Sequence, residues 1–228
     1  MRIKMRIDFH IHSLHSHDAI STPKSIVESA LRKGLGAIAI TDHDSARGWK
    51  ELDTLGKKAN LLIIQGEELK LFEGKKFVGE LMGLFLTEGI KSREYLEAID
   101  EIHSQGALVG VPHPFDVFRN EFKRLEEAVE LKKIDAIESI NARCFREWFN
   151  AKAKAFAEKN SLPQIAGSDA HFPEEIGSAY TEVKADSLED IKRMIKKNST
   201  NVFGRKSSIK FHLKTFFAKN NLIKEKEY

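Results

Sequence analysis

The 228-residue chain has a balanced composition, with 41% hydrophobic residues, 31% charged residues and a formal net charge of +3. These proportions are those of a soluble globular protein, and so small a net charge does not by itself predict nucleic-acid binding. No apolar run approaches the roughly 18 residues of a membrane span, and the single cysteine, Cys144, excludes an internal disulfide, so we expect a cytoplasmic protein.

Short β-rich runs alternate with longer amphipathic segments along the chain. The predicted strands are residues 6–12, 37–41, 61–66, 77–86, 108–111, 136–141, 164–167 and 179–183. The predicted helices are residues 22–33, 49–60, 92–105, 122–132, 147–160 and 187–197. Repeated strand–helix alternation predicts parallel strands covered by helices. Residues 73–75, Glu-Gly-Lys, break this rhythm and predict a hairpin turn.

The last segment, about residues 205–228, combines lysines and arginines with an apolar stripe. The stripe consists of Phe211, Leu213, Phe216, Phe217 and Leu222. One interpretation is a basic surface that attracts polyanions. The favoured one is a closing helix that docks through the stripe while its lysines remain solvated. No linker or repeat indicates a second domain, so we expect residues 1–228 to form one domain.

Histidine and aspartate residues concentrate in four short patches that follow predicted strands. The patches contain Asp8, His10, His12, His15, His17 and Asp18; Asp42 and His43; His113; and Asp169 and His171. Imidazole and carboxylate groups bind zinc, manganese and iron, and one strand end supplies only two or three of them. In an α/β barrel the C-terminal strand ends meet at one mouth. The patches therefore predict one metal cluster.

In order along the chain, these patches resemble the signature blocks of the PHP (polymerase and histidinol phosphatase) superfamily of metal-dependent phosphoesterases. The matching segments are residues 8–13, 38–44, 66–68, 112–114 and 167–171, and the resemblance covers about residues 5–185. It implies a distorted (β/α)7 barrel with two or three divalent metal ions, manganese, zinc or iron, at the C-terminal mouth.

The resemblance also implies which residues bind each metal ion. His10, His12, Glu68 and Asp169 are the expected ligands of the first metal; Glu68, His113 and one further residue those of the second; and Asp18, His43 and His171 those of the third. Glu80 stands where many relatives have that further ligand, a histidine, and a carboxylate there favours manganese or iron over zinc. A solvated Glu80, Glu67 in place of Glu68, and His17 as a competing ligand remain alternatives.

Four residues are candidates for contact with a substrate. Arg143, and less strongly Arg119, is expected to bind phosphate through its guanidinium group. An ion pair with the following helix is the alternative for Arg143. His171 or His17 is expected to protonate the leaving oxygen.

The remaining histidines and aspartates of the patches are expected to support or flank the site. Asp8 and Asp42 either orient ligand imidazoles or make structural contacts at the strand ends. His15, His103 and His212 are expected outside the metal cluster.

The implied activity is hydrolysis of a small phosphorylated substrate by a metal-activated water. Nucleotides or short oligonucleotides are the favoured substrates, and histidinol-phosphate phosphatase is the alternative within the family. A non-catalytic nucleic-acid-binding or scaffold protein on the same fold is the alternative of another class. The nearly complete set of ligand positions argues against it.

Overall fold

Nine strands form the frame of the molecule, which a computed structural model describes over residues 4–220. They are β1 (Lys4–Ile11), β2 (Ala37–His43), β3 (Leu62–Glu73), β4 (Lys76–Leu84), β5 (Leu108–Val111), β6 (Ala136–Asn141), β7 (Gln164–Gly167), β8 (Ala179–Lys184) and β9 (Asn201–Gly204). Their order in the single sheet is β7-β6-β5-β4-β3-β2-β1-β8-β9.

Helices connect most of these strands. They are α1 (Pro23–Arg32), α2 (Trp49–Ala59), α3 (Tyr95–Ser104), α4 (Leu125–Glu130), α5 (Glu147–Lys159), α6 (Leu188–Lys196) and α7 (Ile209–Lys219). The start of α1 illustrates the local signals: the Thr22 hydroxyl accepts the Ser25 N–H at 3.2 Å, and Pro23 occupies the first helical position. Within residues 4–220, no helix is both long and apolar enough to cross a bilayer.

The sheet curves into a nearly closed barrel. Neighbouring strands pair in parallel from β1 to β3 and from β5 to β7, whereas β4 and β8 are antiparallel to their neighbours. Ala170, just after β7, closes the barrel against β1: it accepts the His12 N–H at 2.9 Å and donates to the His10 carbonyl at 3.3 Å. The strands thus form a distorted barrel rather than seven identical β/α units.

Alternation along the strands separates an interior apolar layer from an outer one. Buried side chains at Ile7, Ala39, Ile64 and Met82 pack together inside the barrel, with Ile191 of α6 in the same cluster. Side chains at the alternate positions of these strands, on the outer face of the sheet, pack with the helices in a second, larger cluster. The metal-ligating residue types occupy the inward positions nearest the mouth, above the interior apolar layer.

The predicted barrel, its strand–helix alternation and the hairpin at residues 73–75 are confirmed. The short edge strand β9 was not predicted, and β3 continues seven residues beyond the predicted end at residue 66, as far as Glu73. Helix α7 docks through Phe211 and Ala218, which pack with Phe172. The prediction of one buried stripe on this helix is wrong for Leu213 and Phe216, each 61% exposed, and for Phe217, which is 38% exposed.

One predicted member of the stripe, Leu222, lies outside the described residues.

Replacement of Ile64 by alanine is expected to lower the free energy of unfolding by about 2–5 kcal/mol, since it leaves a cavity in the barrel interior. Ile64 is fully buried there. Ile209→Ala is the matched control, because this isoleucine is 61% exposed; its effect is expected within about 0.5 kcal/mol. Urea denaturation followed by tryptophan fluorescence measures both. Equal effects would contradict the assignment of Ile64 to the core.

Candidate metal centre

The histidine and carboxylate side chains converge at the mouth of the barrel. His43 ends β2, Glu68 lies beside it on β3, and Glu80 lies on β4, all at inward positions. His113 follows β5, and Asp169 follows β7. All nine residues predicted as metal ligands border this mouth, and most of them are buried.

The first group contains His10, His12, Glu68 and Asp169. Glu68 Oε2 lies 3.4 Å from His10 Nε2 and 3.3 Å from His12 Nε2. Asp169 Oδ1 lies 3.8 Å and 3.5 Å from the same two nitrogens. Two imidazoles and two carboxylates therefore face one point, which is a suitable donor set for a transition metal.

The position of His10 depends on residues in β6 and β7. Glu138 Oε1 lies 3.0 Å from His10 Nδ1, which leaves Nε2 facing the cluster. Gly167 gives this pair its space, because a Cβ there would lie 2.3 Å from His10 Cβ and 2.6 Å from Glu138 Oε1. The β1–β2 pairing is also irregular between Asp8 and Ile11, and such a bulge re-aims side chains.

The second group contains Glu68, Glu80 and His113, whose ligand atoms lie within 4.8 Å of one another. His113 Nε2 lies 3.1 Å from Glu68 Oε1 and 4.0 Å from Glu80 Oε2. The other oxygen of Glu80 accepts the Asn120 side-chain N–H at 2.8 Å. Glu80 is buried and faces the cluster, so the alternative of a solvated strand residue does not hold.

The third group contains Asp18, His43 and His171. Asp18 Oδ1 lies 3.6 Å from His43 Nε2, and Oδ2 lies 3.4 Å from His171 Nε2. His43 Nδ1 is also 3.1 Å from Glu68 Oε2. Glu68 thus links this group to the other two.

Burial and mutual attraction set the charges of these groups. Burial alone would lower the pKa of His12, but the neighbouring carboxylates of Asp169 and Glu68 outweigh it and raise the pKa to about 9. Burial would raise the pKa of Asp169, but Arg119 and His10 hold it well below its usual range. Burial and Arg143 lower the pKa of His171 to about 3.

The residues fit divalent metal ions by an independent observation. Asp18 Oδ1, Glu68 Oε2 and Asp169 Oδ1 are buried and lack a hydrogen bond within the described part of the chain. Buried carboxylate oxygens without such partners are costly, and metal coordination offsets that cost. Glu68 Oε2 and Asp169 Oδ1 lie in the first group and Asp18 Oδ1 in the third, and all three face imidazole nitrogens.

Glu67, the alternative to Glu68, faces away from the cluster. Its Oε2 accepts the Ile90 N–H at 3.3 Å, and burial raises its pKa to about 7. Adjacent strand residues point to opposite sides of a sheet, so only one of the two glutamates reaches the mouth. The geometry favours Glu68.

Asp8 and Asp42 make structural contacts rather than the alternative direct contacts with imidazoles. Asp8 accepts backbone N–H groups from His10, Ser168 and Gly177. Asp42 accepts the hydroxyls of Ser13 and Ser16 at 2.6 Å and 2.7 Å, and Ser16 Oγ lies 3.1 Å from His12 Nδ1. Asp42 thus reaches the ligand histidine through one serine.

Sequence reasoning missed Glu138 and Asn120. A glutamate at an inward position of the apolar strand β6 was a usable signal, because a buried charge requires a partner. Asn120 has no comparable signal, since it reaches Glu80 through a loop. Its role emerges only from the tertiary contact.

Both predicted arginines lie at the mouth, but each already has protein partners. Arg143 donates to Thr215 Oγ1 at 2.6 Å and to the Phe211 carbonyl at 3.3 Å, so the alternative of an ion pair with the following helix is wrong. Its Nε instead lies 3.4 Å from Glu175. Arg119 NH1 lies 2.5 Å from Asp169 Oδ2.

The remaining histidines occupy different environments. His17 is exposed at the rim, with Nε2 3.9 Å from Asp18 Oδ2. His103 pairs with Asp135 at 2.8 Å, outside the cluster as expected. His212 also lies outside the metal cluster, but α7 brings it to the mouth, where its ring is 5.4 Å from that of Phe145.

The sequence is similar to those of known proteins. Residues 147–200 match a family model described as PHP-associated. Over 225 residues the chain is 34% identical to the uncharacterised protein MJ0417 of Methanocaldococcus jannaschii. The aligned region covers 96% of this chain and 86% of that protein. A stretch of 71 residues, 31% of this chain, is 37% identical to a PolC-type DNA polymerase III of Oceanobacillus iheyensis, of which it covers 5%.

The fold also has a solved counterpart. A two-domain protein of Bacteroides vulgatus, containing a predicted PHP-like metal-dependent phosphoesterase, superposes with a TM-score of 0.77 at 21% identity. The match covers 94% of this chain and 70% of that chain. Together with the family match and the archaeal relative, this likeness identifies the chain as a member of the PHP superfamily, with the fold of its metal-dependent phosphoesterases.

Proposed function

We propose that this protein is a metal-dependent phosphoesterase that hydrolyses nucleotides or short oligonucleotides. The observation that carries the proposal is the position of Glu68. One of its oxygens lies within 3.4 Å of His10, His12 and His43, and the other lies 3.1 Å from His113. A carboxylate shared in this way suits a bridging ligand between metal ions.

Bound divalent metal ions supply an activated water and neutralise charge on phosphoryl oxygens, the two requirements of phosphate-ester hydrolysis. Around the cluster, Arg119 and Lys219 present cations to the same cavity. Both are suited to hold the nonbridging phosphate oxygens. Nucleotide substrates are further supported by the sequence likeness to a polymerase segment.

His17 is the better candidate for protonating the leaving oxygen. Both ring nitrogens of His171 face protein groups, Nδ1 the Asp169 carbonyl at 2.9 Å and Nε2 the Asp18 carboxylate. His17 stands at the rim of the cavity with its side chain 54% exposed. It can therefore reach a leaving group and exchange protons with solvent.

Replacing His10 and His12 together by alanine is expected to reduce both bound metal and phosphate release. The loss of turnover should exceed the roughly 10–100-fold effect of losing a supporting partner. His103→Ala is the matched control, since this histidine pairs with Asp135 away from the cluster. Elemental analysis and assays with nucleoside monophosphates, oligonucleotides and histidinol phosphate provide the measurements.

Two outcomes of these assays would contradict the proposal. Wild-type protein with less than one transition metal ion per chain, and inactive after manganese addition, would favour the non-catalytic alternative. Turnover of histidinol phosphate alone would assign the protein to the biosynthetic phosphatases.

Glu138→Gln is expected to weaken metal affinity roughly 10–100-fold, because Glu138 holds the His10 ring through its Nδ1. Glu67→Gln is the matched control: it alters a buried glutamate that faces away from the cluster. Competition with a metallochromic chelator measures the affinity. A similar loss in both variants would indicate a general effect of burial rather than orientation of the ligand.

Glu80→His is expected to shift the metal preference from manganese or iron toward zinc, because imidazole is a softer ligand than carboxylate. Glu73→His, at the exposed end of the same hairpin, is the control. The measurement is the ratio of phosphoesterase rates with zinc and with manganese. An unchanged ratio in Glu80→His would remove Glu80 from the ligands.

A further inference from the structure

Two adjoining cavities open at the mouth of the barrel and share four lining residues: Asp18, Phe118, Arg119 and Lys219. The metal-side cavity, of about 140 Å³, is completed by polar residues that include His17, His43 and Glu80. The ring-side cavity, of about 220 Å³, extends instead to Phe145 and His212, and is also lined by Arg143, His171 and Thr215. The two cavities therefore share a cationic border, and the rings of Phe145 and His212 line only the ring-side cavity.

Two aromatic rings at the ring-side cavity are exposed to solvent. Phe118 is 64% exposed and Phe145 is 42% exposed, and their ring centroids lie 5.4 Å apart. The His212 ring lies 5.4 Å from Phe145 on the same cavity. Ligand pockets are typically lined by aromatic side chains with a few polar groups beside them, so these rings are candidates for ligand contact.

The two phenylalanines are held in place by one buried carboxylate. Asp116 is fully buried and accepts the Phe118 N–H at 3.1 Å through one oxygen and the Phe145 N–H at 3.0 Å through the other. The Phe145 carbonyl also accepts the Lys206 ammonium at 2.6 Å. The loops after β5 and β6 are thus tied together, so the rings are preorganised for stacking.

His212 adds a polar contact in the same cavity. Its Nε2 is buried and lacks a hydrogen bond within residues 4–220. Burial and the neighbouring Arg143 lower the pKa of His212 to about 4, so the ring is neutral at pH 7. A neutral imidazole offers one donor and one acceptor, which suits the polar edge of a heteroaromatic ring.

We infer that the ring-side cavity binds the nucleobase of a nucleotide whose phosphate lies in the metal-side cavity, with Phe118 and Phe145 stacking on the base. This inference rests on the proposed phosphoesterase function and adds to it a basis for substrate preference. Arg119 and Lys219, at the shared border, lie where the phosphate joins the nucleoside. The ring-side cavity is smaller than the roughly 300–1,000 Å³ of drug-sized ligand pockets, so it suits a single nucleoside.

The test compares a substrate that has a base with one that lacks it. With the metal-loaded full chain, kcat/KM is measured for adenosine 5′-monophosphate and for ribose 5-phosphate. In the double variant Phe118→Ala/Phe145→Ala, the preference for the nucleotide is expected to fall roughly 10–100-fold, mainly through KM, because base stacking is lost. Phe118→Trp is expected to retain the preference, since indole also stacks.

The matched control is Phe203→Ala/Phe216→Ala, which removes two rings of similar exposure, 42% and 61%, away from the cavity. Its preference is expected to equal that of wild type. The inference is overturned if the preference survives in Phe118→Ala/Phe145→Ala, or falls equally in the control. It is also overturned if Phe118→Ala/Phe145→Ala loses turnover of histidinol phosphate, whose imidazole is likewise aromatic, but keeps turnover of the nucleotide.

Equilibrium dialysis of adenosine 5′-monophosphate against the metal-loaded protein separates this inference from the proposed function. Weaker binding by Phe118→Ala/Phe145→Ala than by wild type supports base recognition even if no substrate is hydrolysed, and in that case the phosphoesterase proposal alone fails. Equal binding by the two proteins, or none by wild type, overturns base recognition whatever the rates.

Discussion

The mouth of the barrel is organised around the buried carboxylate of Glu68. A lone carboxylate at that depth would be strongly destabilising, because burial removes its hydration. Four imidazoles lie within hydrogen-bonding or near-contact distance. Burial raises the pKa of Glu68, but the charges of His10 and His43 outweigh it and hold that pKa well below its usual range. The strands that carry these imidazoles must therefore meet at one point, which constrains the whole upper half of the barrel.

The sheet meets this constraint because each strand carries different kinds of inward side chain at its two ends. Inward positions deep in the barrel carry small or apolar side chains such as Ala39 and Ile64. The inward positions nearest the mouth carry His43 and Glu68. Because strand periodicity places both kinds of residue on the same face, the apolar layer supports the polar one from below. Stability and chemistry thus share the same strands without competing for the same positions.

Most of the fold and the location of the site could be predicted from the sequence. The strand–helix alternation is read from periodicity, and short polar patches such as residues 10–12 and 169–171 follow apolar runs directly. The match of residues 66–68 to the family block indicated Glu68 rather than Glu67, and the strand register, which places Glu68 opposite His43, agrees with it. Residue spacing alone does not supply that register, because a shift of one residue would exchange the two side chains.

Contacts made by loops and by the last described helix were beyond sequence reasoning. Arg143 is at the mouth as predicted, but its contacts with Phe211 and Thr215 depend on how α7 docks. Lys219, 3.4 Å from Asp18, reaches the site through the same docking. Such contacts bring together residues 68 or more positions apart without a periodic pattern. The only sequence signal for these contacts was the apolar content of the final segment, which predicted that a helix docks there.

The closure of the barrel through Ala170 has a thermodynamic consequence. Ala170 lies between Asp169 and His171, and its hydrogen bonds reach the backbone of His10 and His12. Metal ligands from both ends of the fold are therefore neighbours only while these hydrogen bonds, which form the seam between β1 and the end of β7, remain intact. A metal ion held by ligands from both sides of this seam would bind the closed state and not the open one, so it would stabilise the barrel by mass action. The metal centre would then also join the first strand of the barrel to the last parallel one.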